Sequence, residues 1–243
     1  MSLITLEKLI KSKLYIGKYT HKWNSKNIHY IRSYIQGYII FDLVYTSILI
    51  TNTYMYFFKA SKRGHKFLFI STKPGTKDLI KKAGIISGSF YINEKWINGF
   101  ISNWDIIKHQ INLFRWVNNL VKISENIDID LNLLKNKYNK SLTYFQGVHG
   151  LNKLPKIVFI LDIDFDNKIF KELSKSNIIL SSLINSDINI KYIHLPIPGN
   201  NSNIKSIYFI LKILISAIIK GKIIKNEING NRAHEPFNDS AVF

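Results

Sequence analysis

This sequence predicts a doubly wound α/β domain, with a parallel sheet of the flavodoxin-like kind and an α-helical hairpin protruding from it. Three observations lead there. Short, wholly apolar runs of strand length alternate with segments of helix length, the pattern of a parallel sheet covered on both faces. Residues 104–140 contain neither proline nor glycine and no strand signal, which suits a long helical hairpin. Finally, 46% of the 243 residues are apolar, enough to bury a sizeable core.

The elements follow in order. Leu3–Lys13 places Leu6, Leu9, Ile10 and Leu14 on one side of a short amphipathic helix. Gly17–Lys26 is polar and basic. Tyr38–Leu43 reads as a buried strand and Val44–Ala60 as a helix. A turn at Arg63-Gly64 sets up a second strand, Lys66–Thr72. Lys73-Pro74-Gly75-Thr76 opens a helix through Ala83, and Phe90–Asn93 is a third, short strand. The hairpin occupies Trp104–Lys140, with its turn at Ser124–Asp130, where Ser, Asn and Asp collect. Gly147–Pro155 is a loop before the clearest strand, Ile157–Asp162. A helix at Lys168–Ser176, a strand at Ile178–Ile184 and a short strand at Tyr192–Leu195 come next. The loop Pro196–Asn201 precedes a final helix capped by Asn201 or Ser202. The α/β domain is thus expected over residues 1–103 and 147–222, the hairpin excursion over 104–146, and a polar, poorly ordered tail over 223–243.

Charge is the strongest functional signal. Thirty-four basic residues against sixteen acidic ones leave a formal charge of +18. Such an excess repels itself on compaction and calls for a polyanionic partner, nucleic acid first and an anionic membrane surface second. The basic residues are almost all lysine, which favours phosphate contact over bidentate base reading. An AT-rich genome, also legible in the Ile, Asn, Tyr and Phe content, accounts equally well for that bias. The absence of cysteine excludes disulfides and Cys-ligated zinc. The first residues show no secretory core and no arginine-rich presequence. The greasiest stretch, Ile204–Ile219, is short and broken by Lys212. Lys205, Lys212, Ser216 and Lys220 share one helical face there, so the segment reads as a core helix with lysines outward rather than a membrane span.

The candidate motifs are few. Asp162-Ile163-Asp164-Phe165-Asp166 ends the clearest strand, where doubly wound enzymes bind ligands and where alternating aspartates can hold a divalent cation. Against a metal-dependent enzyme using Asp162 and Asp164 stands the plainer reading of a polar strand end, with Asp166 capping the next helix. No Gly-rich phosphate loop, nucleophile elbow or helical pair of zinc-ligating histidines is present. The segment Lys18–Arg32 interleaves Lys18, His21, Lys22, Lys26 and Arg32 with Tyr19, Trp23, His29, Tyr30 and the adjoining Tyr34. Cations there can neutralise phosphates while aromatic faces stack on sugars or unpaired bases. Glu94–Trp104 carries Trp96 and Trp104 in a loop after a strand, where Trp104 is expected to dock the base of the hairpin.

Five stretches together resemble a known family, the bacterial-type small-subunit ribosomal protein S2. They are Gly17 through Trp23-Asn24-Ser25-Lys26 to Ile31; Gly37-Tyr38-Ile39-Ile40-Phe41-Asp42-Leu43; and Tyr91 through Trp96 and Ser102-Asn103-Trp104. The fourth is Gly150-Leu151-Asn152-Lys153-Leu154-Pro155 with Val158–Asp162. The fifth is Ile197-Pro198-Gly199-Asn200-Asn201 with Lys205-Ser206-Ile207. Order and separations agree over residues 3–222. The resemblance implies a doubly wound domain with a protruding helical hairpin. It also implies a structural, non-catalytic role between the head and body of the small ribosomal subunit, against ribosomal RNA and neighbouring proteins, with no cofactor.

With the charge pattern, this places expected RNA contacts at Lys18, His21, Lys22, Trp23, Lys26, Arg32, Lys62, Arg63, Lys73, Lys77, Lys81, Lys82 and Lys95. The sequence departs from the family pattern at Lys18, Ser25, Asn27, Glu94, Lys95 and Asn98. Glu94 weakens a phosphate contact in its loop. Divergence, AT-rich composition and the missing presequence signals together lead to an expectation of an organellar ribosome, mitochondrial before plastid.

Overall fold

The computed structural model describes residues 4–124, 141–163 and 166–233. Its centre is a five-stranded, wholly parallel sheet made of β4 (Phe67–Ile70), β5 (Phe90–Ile92), β6 (Ile157–Ile160), β7 (Ile179–Ile184) and β8 (Leu195–Pro198). The spatial order is β5-β4-β6-β7-β8. Counted from β4, that is the 2-1-3-4-5 order of flavodoxin-like sheets, whose switch point lies between β4 and β6.

The strands are mostly apolar because both sheet faces are covered, with Ser181 and Ser182 of β7 the buried polar exceptions, and their alternation sorts the side chains. Phe67, Phe69, Tyr91, Ile157 and Phe159 face one core, closed by α1 (Leu6–Lys11), α2 (Leu43–Lys62), α3 (Lys77–Ser87) and α7 (Ile204–Ala233). Leu68, Ile70, Ile92, Val158 and Ile160 face the other, closed by α4 (Trp104–Ser124), the helical residues 141–145 (α5) and α6 (Asn167–Leu173). On α7, Ile207, Ile210, Leu211, Leu214, Ala217 and Ile218 are buried, while Lys205, Lys212 and Lys220 are exposed, as the lysine spacing predicts. Helices α2 and α7 nearly touch. Ser61 Oγ donates to the Ile218 carbonyl at 2.6 Å, and a Cβ added at Gly221 would lie 2.7 Å from the Phe58 carbonyl oxygen.

Several boundaries differ from expectation, each for a physical reason. The strand at Tyr38 is β3 (Tyr38–Phe41), and it belongs to a separate antiparallel sheet, between β1 (Ile16–Tyr19) and β2 (Ile31–Ile35). The polar run Gly17–Lys26 therefore contains part of a strand and short 3₁₀ turns at Thr20–Lys22 and Ser25–Tyr30. A two-residue hairpin turn joins β2 to β3, with φ of 50° at Gln36 and 80° at Gly37, the twist that tight hairpins need.

Strand β8 sits beyond the expected Tyr192–Leu195 and takes in Pro196 and Pro198. It is an edge strand, where a missing ladder N–H is tolerated. The cap of α7 is Asn203, whose Oδ1 accepts from Lys205 N at 2.9 Å, rather than Asn201 or Ser202. Helix α7 continues through Ala233, past Lys222, where the polar tail was expected to begin. The hairpin turn expected after Ser124, over 125–130, lies outside the described residues, as do residues 234–243 of the tail.

Candidate nucleic-acid interface

The amino-terminal basic segment is a docked structure rather than a loose arm. Asn27, fully buried, donates from Nδ2 to the carbonyls of Ser186 and Ile188, both at 2.8 Å, and of Asn185 at 3.4 Å. Asn24 N reaches the Ser186 carbonyl at 2.8 Å, and Lys18 N reaches Ser186 Oγ at 3.1 Å. These bonds seat the segment on the loop that follows β7. The signal that could have singled out Asn27 is weak, one asparagine in a polar run, and only its burial reveals it.

Docking leaves one face outward. His21, Lys22, Lys26 and Arg32 are exposed, and Trp23 is half-buried. Tyr19 stacks on His21 with ring centroids 5.7 Å apart and on Tyr38 at 4.4 Å, and the Tyr38 hydroxyl donates to Tyr19 Oη at 2.6 Å. The Tyr38 hydroxyl proton is held above its ordinary value, first by that hydrogen bond. Exposed aromatics beside exposed cations form a surface suited to phosphates and unpaired bases.

Three expected contact residues are neutralised inside the fold. Lys18 pairs with Asp187. Lys73 Nζ lies 2.9 Å from Asp162 Oδ2, and Lys77 Nζ lies 2.5 Å from Glu94 Oε2. Among the described residues Lys81, Lys82 and Lys95 have no ion pair; Lys95 sits 5.8 Å from the Tyr144 ring centre. Lys62 and Arg63 lie at the opposite, amino-terminal edge of the sheet, so the expected residues do not form one patch.

The acidic cluster occupies the switch point between β4 and β6, where a doubly wound enzyme would hold its ligand. Here that crevice is occupied by protein. Asp162 meets Lys73, and Asp166 accepts from Thr72 Oγ1 at 2.5 Å instead of capping α6 with its side chain. Burial pushes the Asp166 carboxyl up despite the bonds from Thr72, with the Asp162 charge adding to the rise. Asp164 lies outside the described residues. Among the described residues no group of three or more His, Cys, Asp or Glu could hold a metal ion. No helix among them is long and apolar enough to cross a membrane.

The tryptophan loop serves folding. Burial alone would raise the Glu172 carboxyl, but bonds from Ser102, Trp96 and Ile101 outweigh it and hold the group below the ordinary carboxylate range. The distances are 2.7 Å from Ile101 N, 3.0 Å from Ser102 N and Oγ, 3.2 Å from Gly99 N and 3.0 Å from Trp96 Nε1. Trp96 packs on Phe100 at 4.9 Å, and Trp104 lies 6.0 Å from Phe100 at the base of α4. Sequence reasoning missed Glu172 because it lies seventy residues from the loop that it ties. It also missed Arg115, which binds the His149 carbonyl, the Leu151 carbonyl at 3.3 Å and Asn152 Oδ1 at 2.7 Å.

Comparison with known proteins agrees with this architecture. The family model described as ribosomal protein S2 matches residues 9–221. A protein named small ribosomal subunit protein uS2 from Rippkaea orientalis is 30% identical over 243 residues, covering 99% of this chain and 90% of its own length. The protein of the same name from Nostoc punctiforme is 31% identical, covering 91% of this chain and 85% of its own. One from Cyanophora paradoxa, named small ribosomal subunit protein uS2c, is 29% identical over 93% of this chain and 98% of its own. With the five-stranded parallel sheet in 2-1-3-4-5 order and a match over nearly the whole domain, this chain belongs to the ribosomal protein S2 family.

Proposed function

We propose that this chain binds small-subunit ribosomal RNA and neighbouring proteins between the head and body of the small ribosomal subunit. Its work is structural rather than catalytic. The observation that carries the RNA reading is the docked amino-terminal platform, with His21, Lys22, Lys26 and Arg32 exposed beside the Tyr19–His21–Tyr38 ring stack. Cations on a fixed platform lose little freedom on binding, and lysine supplies phosphate contact without base reading. Trp23 at its margin and Lys81, Lys82 and Lys95 belong to the same reading. Lys18, Lys73 and Lys77 contribute through the fold they hold in place rather than through direct contact.

Lys22→Glu with Lys26→Glu tests it. Binding to a transcript of the small-subunit ribosomal RNA should weaken, and the slope of log affinity against log salt should fall by about 0.7–0.9 per lost contact. Unchanged affinity and slope in a folded variant would remove this platform from the reading.

For the compartment, the AT-rich composition supports an organellar ribosome. Similarity to cyanobacterial proteins favours the plastid over the mitochondrion, reversing the order expected from sequence. Co-fractionation of the chain with mitochondrial rather than plastid ribosomes would restore the first order.

A further inference from the structure

Three lysines at the carboxyl ends of the parallel strands pair with carboxylates, but the amino ends are different. Lys66 immediately precedes β4 and Lys156 immediately precedes β6, and the register pairs Phe67 with Ile157. The two lysines therefore stand side by side at adjacent strand starts, about 4.8 Å apart along the sheet. Arg63 joins them through the turn that follows α2. Gly64 takes φ of 80°, and His65 N returns to the Ala60 carbonyl at 3.0 Å. A side chain at Gly64 would occupy the place of the Lys225 ammonium, which α7 delivers from above. Lys222, one turn earlier, is held by the carbonyls of Ser87 and Gly88 at 2.8 and 2.6 Å and fixes this end of α7 against α3.

Among the described residues no carboxylate answers this charge. Among the described residues, Lys62, Arg63, Lys66, Lys156 and Lys225 form no ion pair. Protons register the crowding. Burial, then the charges of Lys156 and Arg63, lower the His65 pKa; burial and then Lys225 lower that of Lys222. Unpaired cations held close by the backbone cost stability in the free chain and are answered by an anionic partner.

We propose that the amino-terminal edge of the parallel sheet is a second RNA-backbone site, in which Arg63, Lys66, Lys156 and Lys225 contact phosphates. It lies across the sheet from the amino-terminal platform, so one subunit protein would bridge two separate stretches of RNA backbone. Lysine predominates, so the site reads charge and shape rather than base sequence. The choice of RNA as the polyanion rests on the ribosomal reading above.

The test uses the full chain with Lys66→Gln, Lys156→Gln and Lys225→Gln, its fold checked by thermal melting. It is compared with the wild type and with the Lys22→Glu, Lys26→Glu variant. The probes are the small-subunit ribosomal RNA transcript and, separately, vesicles of phosphatidylserine in phosphatidylcholine. The proposal expects the edge variant to lose at least tenfold in RNA affinity, with the salt slope falling by about 0.7–0.9 per lysine removed. It also expects hydroxyl-radical protection of the RNA to disappear over a different stretch from that affected by the platform variant. Wild-type affinity and slope in a folded edge variant, alongside a defect in the platform variant, would overturn this inference alone. Absence of RNA binding by the wild type would overturn both readings. Vesicle binding that depends on the three lysines and is not displaced by RNA would assign the edge to membrane and overturn the proposal.

Discussion

The two ends of the parallel sheet make opposite use of charge. At the carboxyl end, Asp162 meets Lys73, Asp187 meets Lys18 and Glu94 meets Lys77, and Asn27 threads three carbonyls together. At the amino end, Arg63, Lys156 and Lys225 gather about the turn at Gly64-His65, with Lys66 beside Lys156 and over the Phe90 ring, and none of them forms an ion pair among the described residues. Doubly wound enzymes leave the carboxyl end open for a ligand. Here lysines of the chain itself meet Asp162, Asp187 and Glu94, so that end has become a structural seam carrying the amino-terminal segment, although Asn27 Oδ1 and Asp187 Oδ1 are buried in it without a hydrogen-bond partner among the described residues. Fold alone therefore does not locate the site, because function follows the groups left unanswered.

Perturbing the seam should have the largest effect. Asn27→Asp puts an acceptor against three carbonyl oxygens in a fully buried position and is expected to cost about 3 kcal/mol or more. Chemical denaturation would show it as a lower midpoint, with the segment around Lys18–Arg32 exchanging amide protons faster. Glu172→Ala removes five bonds to the tryptophan loop, four of them from N–H groups, and should cost about 2–3 kcal/mol. Lys73→Met removes the ammonium that faces Asp162. Because the lysine side chain is 36% exposed, water offsets part of the loss, and about 1–2 kcal/mol is expected in the same denaturation assay.

The amino end should behave in the opposite sense. Neutralising Lys156 and Lys225 removes like-charge repulsion and breaks no bond among the described residues. Thermal melting of the free chain should stay within about 0.5 kcal/mol of wild type or rise slightly, and the rise should shrink with added salt.

pH separates Glu172 from His65. The folded Glu172 carboxyl lies below its ordinary value of 4.5, so the folded state binds fewer protons than the unfolded one in that range. Its stabilisation is present above 4.5 and is lost as pH falls through the depressed value. His65 also titrates below its ordinary 6.5 in the fold. Its contribution is present above 6.5 and declines as pH drops, starting in a higher window than that of Glu172. His65→Gln should flatten the upper part of the stability–pH curve, and Glu172→Ala the lower part.

Much of the fold was legible from local pattern. Strands β4 and β6 read clearly because a strand buried on both faces is apolar without alternation. Helix α7 read clearly because Lys205, Lys212 and Lys220 mark its outer face. Strands β1 and β2 did not, since they are half-exposed and their burial alternates poorly. Strand β8 was displaced because its prolines resemble a loop. The site was less legible than the fold. Exposed lysines can be counted in a sequence, but whether a carboxylate meets them depends on register and topology, as Lys73 with Asp162 shows. The adjacency of Lys66 and Lys156 follows from the pairing of β4 with β6, which joins residues ninety positions apart.

A chain that works inside the small subunit must travel with that particle. Native lysate sedimented through a sucrose gradient at low and high salt, probed for this chain, tests that directly. Co-migration with the small subunit at low salt is expected, with release only as salt strips the particle. A free peak near 28.3 kDa at low salt would contradict it.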